Sequence, residues 1–281
     1  MSEDSAVEIT APIPTGVDAA ELATYCLMLG DDALIYAQRL CAWVCNAPEL
    51  EEELALANIA LDLLGQARML LSRAGHAEGK GRGEDALAYQ RAEREFRNVT
   101  LAELSDELDF GRAIATLLVF SSWRLALLTR LLDSRDPALA AVAAKGVKEL
   151  TYHRDYAARW MLRLGDGTEL SHQRAQAGLD AIWPHVEELF ATHDVERRLA
   201  EAGVAVDPAQ TRGDVDAVLA EVLPRATLHR PQARHRPQAR HRPQARPAPG
   251  TVGRDGVHTA EFGRLLTEMQ SVARLEPEAT W

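Results

Sequence analysis

Apolar residues recur at helical spacing along most of the chain, and the longest continuous segment of this kind runs from Asn46 to Gly75. Asn46 is a suitable N-terminal cap and Gly75 a suitable C-terminal stop, so we expect one helix between them. One side of this helix carries an apolar stripe of five residues, Leu54, Ala57, Leu61, Leu64 and Leu71. The opposite side is hardly more polar. A helix that is apolar nearly all round is typical of a central, buried position.

Three further segments have the same periodicity and the length of bundle helices. They run over about Ala19–Cys45, Leu101–Leu132 and Asp136–Leu164. Helices of this size reach roughly 40 Å, which is the scale of a four-helix bundle. Shorter helical segments follow to Leu223, and Thr259 is expected to cap a last helix within 256–281 that packs back on the bundle. We therefore predict an all-α protein: a single domain over 1–281, built as a four-helix bundle with additional C-terminal helices.

Two regions fall outside the helical pattern. Residues 1–17 contain two prolines, and we expect them to form a flexible lead-in. Residues 229–246 repeat the hexapeptide His-Arg-Pro-Gln-Ala-Arg three times. A six-residue period with a proline in every copy fits neither an α-helix nor a heptad, so we expect a disordered basic insertion over 225–255.

The charge balance bears on the kind of partner the protein binds. The net charge is −11, although Arg225–Arg246 contributes seven arginines and no acid, so the rest of the chain is more acidic than the total. This argues against nucleic acid and anionic membrane surfaces as partners. No uncharged apolar run reaches the roughly 18 residues of a membrane-spanning helix, so we expect none.

The cysteines and the N-terminus bear on the cellular compartment. Cys26, Cys41 and Cys45 are odd in number and lie in a helical region, which fits free thiols better than a disulfide framework. The first residues, MSEDSAVEIT, are acidic and lack the apolar core of a signal peptide. We therefore expect a cytoplasmic protein.

Five polar residues fall on or beside helix faces that bundle packing would bury. They are Gln38 on the first helix, Asn58 and Asp62 on the second, and Glu149 and His153 on the fourth. A buried carboxylate is unfavourable unless it is paired or bound to a metal, so Asp62 and Glu149 need partners. One possibility is that the five residues satisfy one another as a buried hydrogen-bonded network.

The other possibility is a di-iron carboxylate centre, which needs a Glu on each of two helices and Glu-x-x-His on each of the other two. The interval from Glu149 to His153 is four, and Asp62 is followed at i+3 by Gly65, which cannot bind metal. The third helix has no acid at its middle, and the Glu169–His172 motif straddles a turn and a helix start. We therefore expect no metal site and no catalytic residue in this chain.

Five segments of the chain are long enough to be compared with known families. They are LGDDALIYAQRL, APELEEELALANIALDLLGQAR, LAYQRAEREFRN, AAKGVKELTYHRDYAARWMLRLGDGTELSHQR and EMQSVARLEPEATW. Together they resemble the non-catalytic C-subunit family of bacterial phenylacetyl-CoA epoxidases, from about Leu27 to Trp281 with an interruption at the repeat. The resemblance implies a ferritin-like bundle that has lost its metal ligands and pairs with a homologous catalytic subunit that carries the di-iron site. It also implies a reductase with flavin and iron–sulfur centres, which delivers NADPH electrons for epoxidation of the aromatic ring with O2.

Two other functions stay open at this point. The chain can be a self-sufficient ferritin-like oxidase with an irregular metal site of Asp62, Glu149 and His153, or an acyl-CoA-binding module without redox chemistry. For the leading interpretation, a subunit of an oxygenase, we expect the apolar side of the third helix with Phe120, Trp123 and Leu127 to be covered by another subunit.

Overall fold

A computed structural model of the chain describes residues 9–105, 107–231 and 252–276. The regular structure of these residues is helical, which confirms the predicted all-α class. The ten α-helices are α1 (Ala19–Cys41), α2 (Leu50–Glu78), α3 (Glu84–Tyr89), α4 (Thr100–Glu103), α5 (Phe110–Leu131), α6 (Pro137–Gly165), α7 (Glu169–Ile182), α8 (Asp194–Glu201), α9 (Arg212–Arg225) and α10 (Phe262–Leu275).

The long helices α1, α2, α5 and α6 form a four-helix bundle consistent with the expected ferritin-like architecture. Helix α1 packs on α2 and α5 packs on α6, while α2 and α6 join the two pairs. On the remaining side, the ring centroids of Tyr36 on α1 and Phe120 on α5 lie 4.3 Å apart. Apolar side chains from all four helices fill the core, and burial of their surface is the main driving force for folding.

Helix α2 has one buried and one exposed side, which corrects the prediction that it is buried all round. Leu56, Ile59 and Leu63 face the core and are at most 1% exposed. Leu54 and Leu61, from the apolar stripe on the other side, are 58% and 62% exposed. The two sides are almost equally apolar, so the periodicity alone could not decide which one faces the core.

Helix α5 is instead the helix that is covered on all sides. Phe120, Trp123 and Leu127 are at most 1% exposed, so the expectation that they are covered by another subunit is wrong. The chain's own helices α7 and α9 pack against α5. The approach of α7 is close because Gly178 has no side chain: a Cβ there would lie 2.7 Å from the Cα of Arg112.

The ends of α2 differ from those predicted. Asn46 is not its cap, since its side chain donates to the carbonyl oxygen of Ala42 at the end of α1. Gly75 lies within the helix, where a Cβ would be 2.0 Å from the carbonyl oxygen of Arg82. The helix ends at Gly79, which has a φ of 66° and can adopt this left-handed conformation without strain.

The predicted third helix, Leu101–Leu132, is divided into α4 and α5. Glu107 and Leu108 have φ values of 54° and 56°, which a right-handed helix cannot contain. Asp109 then starts α5 by accepting a hydrogen bond from the backbone N–H of Arg112 over 3.1 Å. The start of α6 is confirmed, because Asp136 caps it in the same way.

Parts of the expected flexible lead-in (1–17) and of the expected disordered insertion (225–255) belong to the folded structure. Ile9 is buried, and Nη1 of Arg73 donates to its carbonyl oxygen over 2.9 Å, so the chain from residue 9 is held against α2 rather than free. Residues 1–8 lie outside the described part. Of the expected insertion 225–255, Leu228 and Arg254 are buried, while residues 232–251 lie outside the described part.

The last helix, α10, lies against α3 and the turn Glu93–Glu95. The rings of Phe262 and Phe96 meet edge to face with centroids 5.6 Å apart. Thr259 does not cap α10, because Glu261 stands at the N-cap position; the backbone N–H of Thr259 donates to Oε1 of Glu103. The helix begins three residues later.

Two described helices, α2 and α5, are long and apolar enough to meet a length-and-composition criterion for a membrane span. Core helices of soluble proteins meet the same criterion, and 83% of the apolar window of α5 is buried inside this chain. The cysteines are free thiols as expected, with Cys26 buried and Cys41 and Cys45 exposed.

Candidate functional site

The guanidinium of Arg124 lies in the bundle core, where all four long helices contribute to one hydrogen-bonded chain. Its Nε donates to Oε1 of Gln66 on α2 over 2.9 Å, and its Nη1 donates to the carbonyl oxygen of Leu29 on α1 over 3.2 Å. Nε2 of Gln66 in turn donates to Oε2 of Glu149 on α6 over 2.9 Å. Arg124 and Gln66 are buried. A positive charge, an amide and a negative charge thus connect the helices across the core.

Glu149 is less deeply buried than Arg124. Its side chain is 13% exposed, and Nζ of Lys145 lies 3.5 Å from its Oε1. Burial raises the pKa of Glu149, and the hydrogen bond from Gln66 opposes that rise. Gly146 makes room for this contact, because a Cβ there would lie 3.3 Å from the amide of Gln66.

The second polar contact joins His153 on α6 to Asp62 on α2. Nε2 of His153 lies 3.0 Å from Oδ2 of Asp62. His153 is fully buried, whereas the side chain of Asp62 is 39% exposed. Burial lowers the pKa of His153, against the opposing effect of the Asp62 carboxylate, so the neutral imidazole is favoured at neutral pH. The contact then assigns the ring proton to Nε2, as donor to Asp62.

The structure places the five expected network residues in three groups. Asp62 and His153 form one pair, and Glu149 belongs to the chain through Gln66. Gln38 is only half-buried and Asn58 is exposed, and no hydrogen bond within the described residues joins either of them to the other three. The expected network is therefore wrong in these two members. The exposure of Asn58 follows from the outward orientation of its side of α2.

These residues do not fit a di-iron centre. In the described part of the chain, no three His, Cys, Asp or Glu side chains are grouped so as to hold a metal ion. A guanidinium also lies among the polar groups of the core, and a second cation there would be repelled. Burial lowers the pKa of Arg124 to about 10, so the group still carries its charge at neutral pH.

The comparison with known proteins covers nearly the whole chain. Residues 11–281 match the family model described as phenylacetic acid catabolic protein. The chain belongs to this family. It is 42% identical over 261 residues to the C subunit of the 1,2-phenylacetyl-CoA epoxidase of Escherichia coli (strain K12), an alignment that covers 93% of this chain and 99% of that relative. The resemblance found in the sequence is thereby confirmed.

Two polar residues of the core were absent from the expected network. Gln66 stands one turn after Asp62, yet an amide carries no charge that demands a partner. Arg124 falls seven residues after Leu117 and four before Leu128, both on the inner side of α5. This spacing was the available signal. It is easily missed, because arginine usually extends its charged end to solvent.

A second set of buried charges fixes the connections around α1. Asp31 accepts two hydrogen bonds from Arg91, one of them 2.9 Å long, and a third from the backbone N–H of Arg97. Asp32 accepts from Nη1 and Nη2 of Arg254 over 3.0 and 2.9 Å. The adjacent carboxylates thus hold two distant segments against the same helix. They are structural anchors, since the arginines already satisfy both of them.

Glu103 anchors the chain that follows the repeat in a similar way. Its Oε2 lies 2.7 Å from Nδ1 of His258 and accepts from Nδ2 of Asn98 over 2.9 Å. Glu188 also holds the segment after the repeat, because its Oε1 accepts a hydrogen bond from the backbone N–H of Gly253 over 2.9 Å. The segment after the repeat is therefore part of the folded body in this family member.

A cleft of about 610 Å³ lies between α2, α3 and α10. Part of its lining is apolar and comes from Leu64, Leu71, Met269 and Val272. Its polar lining is mainly acidic, with Glu84, Asp85 and Glu276, and Nη2 of Arg68 is 3.1 Å from Glu84. Such a lining disfavours the phosphates of coenzyme A. The cleft therefore gives no support to an acyl-CoA-binding role.

Proposed function

We propose that this chain is a structural, non-catalytic subunit of the oxygenase that epoxidises the aromatic ring of phenylacetyl-CoA in the cytoplasm. The observation that carries the proposal is the alignment with the C subunit of the epoxidase, which covers 99% of that relative. An alignment of this extent includes all the elements that position the bundle core. The reaction itself then belongs to another subunit.

The polar contacts of the core support a non-catalytic role for this chain beside a separate catalytic subunit. Hydrogen bonds join Arg124, Gln66 and Glu149 across the bundle, and Asp62 pairs with His153. In the proposed complex, the di-iron centre lies in a homologous subunit, and a reductase with flavin and iron–sulfur centres supplies electrons from NADPH. This chain contributes a folded surface that stabilises the catalytic subunit. It contributes no ligand to the iron.

The proposed contact surface is the outer side of α2 and α6, called here the α2–α6 face. It exposes four large apolar side chains: Leu50 (66%), Leu54 (58%), Leu61 (62%) and Tyr152 (48%). Leu50, Leu54 and Leu61 share one face of α2 by their spacing, and exposed apolar faces mark sites of protein association. The two helices are also fixed to each other by Glu52, which accepts hydrogen bonds from Tyr156 and Trp160. The surface is thus preorganised for a partner, and we assign it to another subunit of the epoxidase.

A self-sufficient oxidase has less support. It would use Asp62, Glu149 and His153 at one metal, but in the described structure Glu149 is bonded to Gln66 and His153 to Asp62. Both carboxylates are therefore already engaged. The buried positive charge of Arg124 also opposes metal uptake.

The test is purification of this chain through an affinity tag after coexpression with the other epoxidase subunits. We expect a homologue bearing Glu-x-x-His motifs to copurify, the iron to reside in that homologue after the subunits are separated, and turnover of phenylacetyl-CoA to need both. Near-stoichiometric iron in the separated chain, or turnover by this chain and the reductase alone, would contradict the proposal.

A further inference from the structure

The bundle core arranges oxygen atoms from different helices around a buried positive charge. Arg124 donates to the carbonyl oxygen of Leu29 over 3.2 Å and to Oε1 of Gln66 over 2.9 Å. Glu149 joins them through the other end of the same amide. Oxygen atoms that converge from several helices are also what a carboxylate-bundle metal site offers to its ion. The core thus has the charge pattern of a metal site, with a guanidinium as the cation.

His153 keeps the hydrogen bond that is typical of a metal-binding histidine. Its Nε2 is bonded to the carboxylate of Asp62, while its Nδ1 is buried and has no hydrogen-bond partner among the described residues. In protein metal sites, one ring nitrogen binds the ion and the other N–H usually donates to a carboxylate or a carbonyl. Nδ1 of His153 therefore has an unused lone pair inside the bundle.

The charge of Arg124 interacts with both potential metal ligands, Glu149 and His153. It is attracted to Glu149, and it acts on His153 in the direction that disfavours a second positive charge. In the part of the chain that the structure describes, its Nη2 is buried without a hydrogen-bond partner, and burying such a donor is unfavourable for the stability of the core. A hydrophobic side chain would avoid that cost, but it would leave Glu149 with Lys145 as its cationic neighbour among the described residues.

We infer that Arg124 takes the place of a metal cation in this core and that this one side chain keeps Glu149 and His153 from binding a divalent metal. The inference rests on the metal-free role proposed above. The guanidinium balances the charge of Glu149 and ties α1, α2 and α6 to α5. If a carboxylate replaced it, the core would hold two acids and an imidazole with Lys145 as the cationic neighbour of Glu149, and a divalent ion would restore the charge balance.

The test uses the full-length variant Arg124→Glu, with Mn2+ as the probe. We expect the variant to have a lower Tm than wild type in chelator, and added Mn2+ to raise its Tm by about 5 °C or more. The Tm of wild type should not respond to Mn2+. The matched control is Arg124→Glu combined with His153→Ala, in which the response to Mn2+ should be much smaller because a ligand is missing.

The possible failures are distinguishable. Mn2+-dependent stabilisation of wild type would overturn both the metal-free role and the inference. A folded Arg124→Glu variant without any response to Mn2+ would overturn the inference alone and leave the proposed subunit role in place. If Arg124→Glu does not fold, Arg124→Gln decides: we expect at least tenfold tighter Mn2+ binding than wild type by equilibrium dialysis, and unchanged binding would refute the inference.

Discussion

Nε of Arg124 donates a hydrogen bond over 2.9 Å to the side-chain oxygen of Gln66, and both side chains are buried between helices of the bundle. The side-chain nitrogen of Gln66 in turn donates a hydrogen bond to Glu149. One neutral residue thus separates a buried positive charge from a partly buried negative charge. We therefore expect the stability of the bundle core to depend on Gln66.

Gln66→Leu should therefore lower the free energy of unfolding by about 3–5 kcal/mol, the range for leaving buried charged groups without their partners. Gln38→Leu is the matched control, since Gln38 lies on a neighbouring helix outside the chain of hydrogen bonds, and it should change stability by less than about 1 kcal/mol. Urea unfolding followed by circular dichroism measures both. Equal effects of the two substitutions would show that the amide of Gln66 has no special role.

The α2–α6 face should be required for assembly and not for folding. Leu61→Glu puts a charge on a side chain that is 62% exposed, so the isolated chain should stay helical while its affinity for the other epoxidase subunits falls more than tenfold. Leu170→Glu, at a residue 60% exposed on α7, is the matched control and should assemble normally. Analytical size exclusion of the coexpressed subunits tests this, and normal assembly of Leu61→Glu would rule out this face.

The pH dependence of stability should reflect His153. Burial lowers its pKa in the folded state, below the value of about 6.5 for an unperturbed histidine. Its neutral form therefore contributes stability that is fully present above that ordinary pKa and is lost as the pH falls through it towards the folded pKa. Wild type should lose more free energy of unfolding than His153→Gln between about pH 7.5 and about pH 5.5. A smaller loss in wild type would mean that pairing with Asp62 outweighs burial.

The anchor after the repeat should matter more than the repeat. Arg254→Ala leaves Asp32 buried without its guanidinium and should lower the free energy of unfolding by about 3–5 kcal/mol. Removing two copies of the hexapeptide, His235–Arg246, should leave the Tm within error, because a polar, proline-spaced basic segment buries too little surface to offset its chain entropy. Thermal scans of both variants give the comparison, and a Tm loss of more than a few degrees in the deletion would contradict it.

The fold was predictable where a local signal had one interpretation. Asp136 followed by Pro137 ahead of a segment with helical periodicity is a helix-start signal, and the structure confirms that α6 begins there. The orientation of a helix was not predictable when both of its sides were apolar. Leu61 and Trp123 lie on equally apolar surfaces, yet the first is exposed and the second is buried. The difference arises because α7 and α9 pack against α5. The periodicity of α2 or of α5 carries no information about which helix they cover.

The site was predictable only in part, for a similar reason. Asp62 and His153 were expected to be partners because each is an ionisable group on an apolar background, and they are bonded. Arg124 was overlooked because a long side chain can carry its charge to solvent from almost any position on a helix. In this core it does not, since Gln66 and Leu29 hold the guanidinium inside. Only the three-dimensional arrangement of the helices reveals this.

The most direct test of the central claim, that the iron of the epoxidase does not belong to this chain, is the iron content and turnover of the assembled complex carrying His153→Ala. The substitution should destabilise the chain by about 2–4 kcal/mol, because it leaves a cavity in place of the buried imidazole and removes the hydrogen-bond donor of Asp62. Iron and turnover per assembled complex should equal those of wild type. Loss of iron and of turnover while assembly is intact would show that this chain holds a metal site and that the non-catalytic role is wrong.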